Sequence, residues 1–422
     1  MIKLFANAWK VKDIRNKILY TFIILAIIRL GAHIALPGIS VASIKAIQDS
    51  MSTGTLYNII AGGYNSRWSI FSMGIGPYIN ASIIMQLLRV AIPKLEQLSK
   101  EGEDGRKKIT SYTRYLTVVL SLIQATGITL SYRDMFSNAS ALTLIISVIT
   151  LVAGSTFIMW LAEQITNKGI TNGSSMIIFM NIVSNLPSGI RSLVYYAQTG
   201  DATGLVKIAI VLVLLLAVIV FIVIIHDGER RIPVQYSAKM VGRRTYGFGG
   251  QTTFMPIKVN TAGVIAIIFA ISLVQFPETI AQFIHPGATF SKIIELLRIT
   301  NPVGAVIYIV LILFFSYFYT SIVINPNEIA ENMKKNGGFI PGIRPGQPTS
   351  DYITRVVNRI TLVGAISFAC IALVPLILQW VFGLNVGFGG TTLIIVVGVA
   401  LDIVKAMESQ LLMRHYKGFL NS

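Results

Sequence analysis

Ten stretches of mainly apolar residues alternate with polar connections that contain glycine and proline along the 422-residue chain. Each stretch has the roughly 20 residues that an α-helix needs to cross a bilayer. The pattern therefore predicts ten transmembrane helices, near residues 18–36, 70–92, 112–131, 141–162, 174–195, 205–225, 261–284, 303–324, 357–381 and 388–406.

The second stretch differs from an ordinary lipid-facing span. Gly74, Gly76 and Pro77 interrupt its start, and Asn80 and Gln86 add polar side chains. Broken helices and polar groups within a membrane are tolerated where they line a cavity or a protein interface. We therefore expect this span to line a path through the membrane.

An even number of spans allows two halves of five, residues 1–195 and 196–422. Because five is odd, the second half enters the membrane from the opposite side to the first. Inverted repeats of this kind place a functional site at their interface, near the bilayer midplane. The sequence shows no clear internal repeat, so this division follows from the count of spans.

Composition and charge place the chain in a membrane and indicate its orientation. Hydrophobic residues make up 54% of the sequence and charged residues 13%, the mean hydropathy is +0.69, and the formal net charge is +17. Roughly 26 of the lysines and arginines fall in segments on the N-terminal side of the membrane and roughly 7 on the other side. The positive-inside rule then predicts that both termini are cytoplasmic.

Two cytoplasmic connections, 226–260 and 325–356, are long for a compact protein. Alternating residues near Val234 predict a short strand in the first, and Asn325 predicts a capped helix at the start of the second. Prolines frame a bend that presents Arg344. If the basic residues served only to set the orientation in the membrane, these connections would need no folded structure. We therefore predict a docking surface for an acidic partner such as RNA or another protein.

Motifs for catalysis are missing from the sequence. It has no phosphate-binding loop, no zinc-protease helix and no nucleophile elbow, and its four histidines have no ligand spacing. Cys370 is the only cysteine and lies in an apolar run, so we expect a small buried hydrophobe. We predict that the protein is not an enzyme and that it needs neither a metal nor a cofactor.

Several short motifs over residues 10–415 match those of a known family in the same order. They include residues 77–84 (Pro-Tyr-Ile-Asn-Ala-Ser-Ile-Ile), 101–108 (Glu-Gly-Glu-Asp-Gly-Arg-Lys-Lys), 242–244 (Gly-Arg-Arg), 339–346 (Phe-Ile-Pro-Gly-Ile-Arg-Pro-Gly) and 389–391 (Gly-Gly-Thr). In these motifs the chain resembles the SecY family of protein-conducting channels. The resemblance implies an all-α integral membrane protein with ten transmembrane helices in two inverted five-helix halves around a central hourglass pore, and a short plug helix at about residues 53–67.

The resemblance also implies a ring of apolar side chains that closes the pore. Carried over by motif, the ring consists of Ile79, Ile83, Ile178, Ile182, Ile268 and Ile395. The first two pairs are spaced by four residues, so each pair lies on one helix face. Such a ring can close around a passing chain by van der Waals contact and exclude water and ions by dewetting when it is narrow.

A lateral gate toward the lipid is implied between the second and third helices of one half and the seventh and eighth of the other. Gln86, Gln124 and Gln275 fall on gate helices. Hydrogen bonds among them would hold the gate shut at about 1 kcal/mol each. Glutamines that face outward and have no part in the gate are the alternative.

The implied function is a passive channel in the bacterial plasma membrane for unfolded preproteins and signal sequences. The motor ATPase SecA or the ribosome would push the chain and would dock on Arg243, Arg244 and Arg344. SecE and SecG are the implied accessory subunits, and anionic membrane lipids are further partners of the basic chain.

Two other interpretations stay open. An accessory paralogue of the same family could serve a restricted set of substrates. An inverted-repeat secondary transporter would need paired carboxylates near the bilayer midplane, for which Glu163 and Asp402 are poor candidates because both lie at span ends.

Overall fold

The computed structural model describes most of the chain, namely residues 2–39, 68–133, 136, 140–199, 202–236, 252–259, 261–284, 288–299, 301–382 and 390–420. The predicted plug at about residues 53–67 and the predicted docking residues Arg243 and Arg244 lie outside the described residues.

Helices account for most of the described residues, and three short strands occur in the second half of the chain. In chain order the elements are α1 (Ile2–Lys10), α2 (Lys12–Gly31), α3 (Gly76–Ala91), α4 (Pro93–Lys100), α5 (Glu103–Ser131), α6 (Ala141–Lys168), α7 (Gly173–Thr199), α8 (Ala202–Asp227), β1 (Glu229–Tyr236), β2 (Thr252–Lys258), α9 (Ile265–Ile284), α10 (Ala288–Leu297), α11 (Pro302–Val323), α12 (Pro326–Lys335), β3 (Gly338–Phe339), α13 (Gln347–Phe382) and α14 (Gly390–Leu420).

Every apolar stretch that was predicted to cross the membrane overlaps one of these helices. Four segments of the described chain are long and apolar enough to span a bilayer: Ala141–Lys168, Ala209–Asp227, Pro302–Lys335 and Gln347–Val374. The predicted number of ten spans and their division into halves at residue 195 stay predictions.

Two predicted spans extend too far into the connection that joins them, and both errors have one cause. Helix α2 ends at Gly31 rather than near residue 36, and α3 begins at Gly76 rather than near residue 70. Residues 34–36, after α2, pair instead with residues 68–70, before α3, through an antiparallel bridge between Ala35 and Ser69. An apolar run that pairs with a distant backbone segment cannot be distinguished from a helix by hydropathy alone.

The described chain forms two compact units. The first comprises Met1–Val211, Gln275–Glu295 and Ile377–Ser422. In this unit α5 packs against α3, α4 and α6, and α7 packs against α6 and α14. Buried small side chains recur at every fourth position of α5, namely Thr113, Thr117, Ser121, Ala125 and Thr129. Small residues at this spacing let helix backbones approach closely, which is how helices pack in lipid.

The second unit comprises Leu212–Val274 and Leu296–Leu376 and contains the sheet. Strand β1 is central, in the order β2-β1-β3, and it pairs antiparallel with both neighbours. A small apolar core joins the sheet to α12 and to the start of α13, with Ile232, Val234, Ile257, Met333, Ile340, Ile353 and Val357 as its buried members. The predicted strand near Val234 and the predicted helix after Asn325 are both confirmed, since the Asn325 side chain accepts a hydrogen bond from the Glu328 amide at 3.4 Å.

One prediction about the interior is wrong. Cys370 is exposed on α13 rather than buried. Its helix is apolar on outward-facing positions as well, with Leu362, Val363 and Ile366 also exposed. A helix that is apolar all round meets lipid on its outer face, so an apolar neighbourhood in the sequence does not imply burial in protein.

Candidate functional site

The segment that precedes α3 is buried although it is not helical. Its backbone groups are paired with the chain that follows α2: the Leu36 amide donates to the Trp68 carbonyl at 2.7 Å, and the Ile70 amide donates to the Ile34 carbonyl at 3.0 Å. Ser69 and Ser72 are buried, and the Ser72 hydroxyl donates to the Ser69 carbonyl at 2.6 Å. Irregular backbone at membrane depth needs such internal partners because lipid supplies none.

Two glycines allow this segment to lie against neighbouring helices. A Cβ at Gly154 of α6 would overlap the Ile70 carbonyl oxygen, and a Cβ at Gly31 of α2 would overlap the Phe71 ring. Neither close contact was predicted from the sequence. The positions of the two glycines within or at the end of apolar helices were the available signal, because glycine in a helix often marks close approach of another backbone.

Helix α3 begins directly after this segment and carries the first pair of predicted ring residues. Pro77 occupies the first turn, where its missing N–H costs no hydrogen bond. Ile79 and Ile83 are both buried, at 9% and 8% exposure, and lie one turn apart on the same face of the helix. The fixed start of α3 therefore sets the height and rotation of this pair.

The remaining predicted ring residues lie on three other helices. Ile178 and Ile182 of α7 and Ile395 of α14 are buried, and α7 packs against α14 within the first unit. Ile268 of α9 is half-buried and belongs to the second unit. The structure thus brings the helices of Ile178, Ile182 and Ile395 together, while the closed ring of all six stays a prediction.

The three predicted gate glutamines are all half-buried. Gln86 lies on α3 and Gln124 on α5, and these two helices pack against each other. The Gln86 Oε1 atom is fully buried and has no hydrogen-bond partner among the described residues. A buried acceptor without a partner costs about 1–3 kcal/mol of stability.

Glu163 is held by an arginine rather than free to bind an ion. Arg114 of α5 donates to both carboxylate oxygens of Glu163 on α6, from Nε at 2.8 Å and from a terminal nitrogen at 2.7 Å. The Glu163 side chain is only 12% exposed. A fork-to-fork pair of this kind links α5 to α6, and the arginine balances the negative charge of Glu163.

The bend that presents Arg344 is built as the sequence predicted. Gly342 and Gly346 have φ of 80° and 102°, values that favour glycine, and Arg344 between them is exposed. The Arg344 carbonyl accepts a hydrogen bond from Thr349 Oγ1 at 2.8 Å, and Ser350 Oγ donates to Asn327 Oδ1 of α12 at 2.6 Å. The first bond ties the bend to α13 and the second ties α13 to α12, so the backbone that carries the exposed guanidinium is held through α13.

A second polar surface precedes α5. Lys100 and Glu96 of α4 form an exposed ion pair at 2.7 Å, and the hydrogen bond from Lys100 lowers the pKa of Glu96 below its usual value.

Within the part of the chain that the structure describes, no group of three or more histidine, cysteine, aspartate or glutamate side chains could hold a metal ion.

Comparison with known proteins gives consistent results. The family model described as SecY matches residues 69–404. A protein translocase subunit SecY from Streptomyces scabiei is 43% identical over 441 residues, and one from Halalkalibacterium halodurans is 43% identical over 435 residues. Both alignments cover 100% of this chain and 100% of the relative.

Solved structures share the fold at low sequence identity. A protein-conducting channel aligns with a TM-score of 0.68 at 18% identity, covering 94% of this chain and 92% of the other. Sec61 in a canine ribosome–channel complex from the endoplasmic reticulum aligns with a TM-score of 0.64 at 17% identity, with the same coverage.

Proposed function

The chain belongs to the SecY family of protein translocase subunits, and from this premise we propose how it passes proteins through the bacterial plasma membrane. As a member of this family it is a protein-conducting translocation channel and not an enzyme. The full-length identity of 43% to translocase subunits is the observation that carries this function. Unfolded secretory proteins cross the pore, and transmembrane segments leave it into lipid through a lateral gate.

The constriction of the pore is the ring formed by Ile79, Ile83, Ile178, Ile182, Ile268 and Ile395. The burial and one-turn spacing of the pairs on α3 and α7 support this assignment. Branched apolar side chains offer no hydrogen-bonding groups, so they grip no particular substrate sequence. They can nevertheless close on a passing chain and exclude water when the chain is absent.

The lateral gate uses polar contacts among Gln86, Gln124 and Gln275. Gln86 Oε1 is buried and has no hydrogen-bond partner in the described part of the chain, which supports a role in a contact that changes between gate states. A hydrophobic signal sequence partitions between channel and lipid and shifts the gate toward its open state.

Docking of SecA or the ribosome occurs on the basic cytoplasmic connections, through Arg243, Arg244 and Arg344. The exposed and rigidly held Arg344 supports this role, because arginine in a fixed position suits recognition of carboxylate and phosphate groups. Both termini face the cytoplasm. SecE and SecG complete the channel, and anionic lipids surround it.

Site-directed crosslinking tests the path. Cysteine is placed at position 83 or 178 in a Cys370→Ser background, since Cys370 is exposed and would otherwise react. A preprotein is then stalled in transit and treated with a cysteine-reactive crosslinker. We expect crosslinks from Ile83→Cys and Ile178→Cys and none from Leu88→Cys, an exposed position on the same helix as Ile83. Equal crosslinking at all three positions, or none at 83 and 178 with a verified stalled chain, would refute the proposed path.

A further inference from the structure

Tyr308 of α11 has a buried hydroxyl group that lacks a hydrogen-bond partner among the described residues. Its side chain is only 1% exposed, and its hydroxyl oxygen is fully buried. Buried polar groups are almost always paired, since burial removes the hydrogen bonds that water would supply. A buried serine or threonine can turn its hydroxyl to a carbonyl of its own helix. The tyrosine hydroxyl lies beyond the ring, so its acceptor must come from another helix.

The helix face that carries Tyr308 is turned toward α9. Four buried residues of α11 are spaced by three or four positions and therefore share one face, namely Ala305, Tyr308, Ile312 and Phe315. The Phe315 ring packs edge-on against the Phe269 ring of α9, with the ring centroids 5.6 Å apart. Tyr308 therefore faces α9 about two helical turns from this aromatic contact.

Helix α9 contains a backbone carbonyl that lacks its regular helical donor. Pro277 lies inside α9 and has no N–H, so the helical hydrogen bond to the Leu273 carbonyl is missing. Proline is tolerated in membrane helices where a neighbouring helix or a polar side chain satisfies the freed carbonyl. Leu273 is one turn from Phe269, so it lies on the side of α9 that meets α11.

The hydroxyl and the carbonyl lie at about the same level. Phe269, Leu273 and Tyr308 belong to the second unit, and α9 and α11 run in opposite directions in the proposed topology. From the aromatic contact, Tyr308 is about 10 Å along α11 and Leu273 is about 6 Å along α9, in the same direction. Side chains lean toward the start of their own helix, which places the Cα of Phe269 ahead of the contact and that of Phe315 behind it. This lean removes most of the difference in level.

We propose that Tyr308 is a positioning residue of the lateral gate, whose hydroxyl donates to the Leu273 carbonyl when the channel holds a substrate chain. In the arrangement described here the bond is not formed, so the buried donor destabilises this arrangement. A shift of α9 against α11 would pair both groups, and the new bond would favour the shifted arrangement. The inference rests on the proposed function, in which the seventh and eighth spans, α9 and α11, form one side of the gate.

Two tyrosine variants of the free channel test the starting arrangement. Tyr308→Phe removes only the buried hydroxyl, so its thermal unfolding midpoint in detergent should equal or exceed that of the parent protein. Tyr317→Phe on the same helix is the matched control, because it removes a hydroxyl that donates to the Asn358 carbonyl at 3.1 Å. The midpoint of the control should fall. A fall for Tyr308→Phe would show that its hydroxyl is already bonded in the free channel and would overturn the proposal.

A channel that holds a stalled preprotein should show the opposite order. The midpoint of Tyr308→Phe should then lie below that of the parent protein. Its translocation rate should fall about fivefold, which corresponds to one net hydrogen bond of about 1 kcal/mol. An equal midpoint for the two proteins in the engaged channel, or an unchanged translocation rate, would contradict the proposed bond.

Pro277→Ala identifies the acceptor. Alanine restores the missing amide, which then bonds to the Leu273 carbonyl and competes with Tyr308 for it. Tyr308→Phe should therefore cause no further loss of translocation in the Pro277→Ala background, and a further loss of the same size would rule out Leu273 as the acceptor. Size-exclusion chromatography verifies that each variant is folded, and the two single tyrosine variants are compared without any change at Pro277.

The gate bond and the proposed path can fail separately. Crosslinking at positions 83 and 178 tests the path and involves neither Tyr308 nor Pro277. Crosslinks from both positions, together with a Tyr308→Phe variant that behaves as the parent protein in the engaged channel, would contradict the gate bond alone. Missing crosslinks would contradict the path, whereas the midpoints of the free channel would still report on the Tyr308 hydroxyl.

Discussion

Two non-helical segments, 68–75 before α3 and 339–346 before α13, have the same structural role in different surroundings. Each is a non-helical stretch that leads into the first turn of a long helix and fixes where that helix begins. The segment before α3 is buried, and its carbonyl and amide groups pair with the backbone after α2. The segment before α13 is exposed at Pro341, Gly342, Arg344 and Pro345, and the side chain of Thr349 donates to its Arg344 carbonyl.

The difference follows the surroundings of each segment. A stretch inside a membrane protein must satisfy its backbone internally and must fit between helices, which explains the backbone pairing and the glycines of α2 and α6. In a segment that faces water, the solvent can satisfy the carbonyl groups, and charged side chains can be exposed. Under the proposed function, the first arrangement positions the part of the ring that lies on α3, and the second holds one of the proposed docking arginines.

The largest effect is expected from filling the contact between α6 and the segment before α3. Gly154→Val should destabilise the protein by about 3 kcal/mol or more, because its side chain would overlap the Ile70 carbonyl, which cannot move without breaking its paired backbone. Thermal unfolding in detergent, followed by size-exclusion chromatography, measures the change. Gly76→Ala is the matched control, since a Cβ there meets nothing within 4 Å. Equal unfolding midpoints for the two variants would show that this contact is not rigid.

An intermediate effect is expected from the exposed segment. Arg344→Glu should reduce SecA-driven translocation about tenfold, equivalent to about 1.4 kcal/mol, because it places a carboxylate on the proposed docking surface for an acidic partner. Thermal stability should not change, since the side chain contributes no buried contact. Translocation into inverted membrane vesicles measures activity, and Arg344→Lys separates the need for charge from the need for the planar guanidinium. Full activity of Arg344→Glu would remove this residue from the docking surface.

The two segments also differ in how far the sequence predicts them. The bend at Arg344 and the helix after Asn325 follow from local signals, namely prolines, glycines and a side chain that caps the next helix. The break before α3 was visible at Gly74, Gly76 and Pro77, but its partner was not. Pairing of residues 34–36 with 68–70 is set by tertiary contacts, which local hydropathy does not record.

Strand β2 shows a second limit of local patterns. Pro256 lies in the middle of this strand, and proline usually argues against a strand assignment. Strand β2 is at the edge of the sheet, where one side of the strand needs no partner and proline is tolerated.

The predicted ring residues were recognised by motif and spacing, and their burial on α3, α7 and α14 agrees with an inward position.

The smallest effect is expected at the apolar path itself, because the ring has six predicted members and loses only part of its surface in any one variant. Ile79→Gly, Ile83→Gly and Ile178→Gly together should raise ion leakage through reconstituted bilayers several-fold, since a wider apolar constriction no longer excludes water. Single-channel or vesicle conductance measures the leak. Three glycines also weaken the helices by about 1 kcal/mol each, which alone could disturb a bilayer.

The control must therefore introduce three glycines, with a similar loss of helix stability, at positions outside the proposed ring. Ile145→Gly, Ile146→Gly and Ile149→Gly replace exposed isoleucines of α6, at 59%, 43% and 61% exposure. If the ring closes the path, only the first triple variant leaks, although both lose similar helix stability. Equal conductance in the two triple variants would mean that α3 and α7 contribute general packing and that the seal lies elsewhere. The buried apolar residues and the exposed basic surface would then still differ in structure, but the proposed ring would have no sealing function.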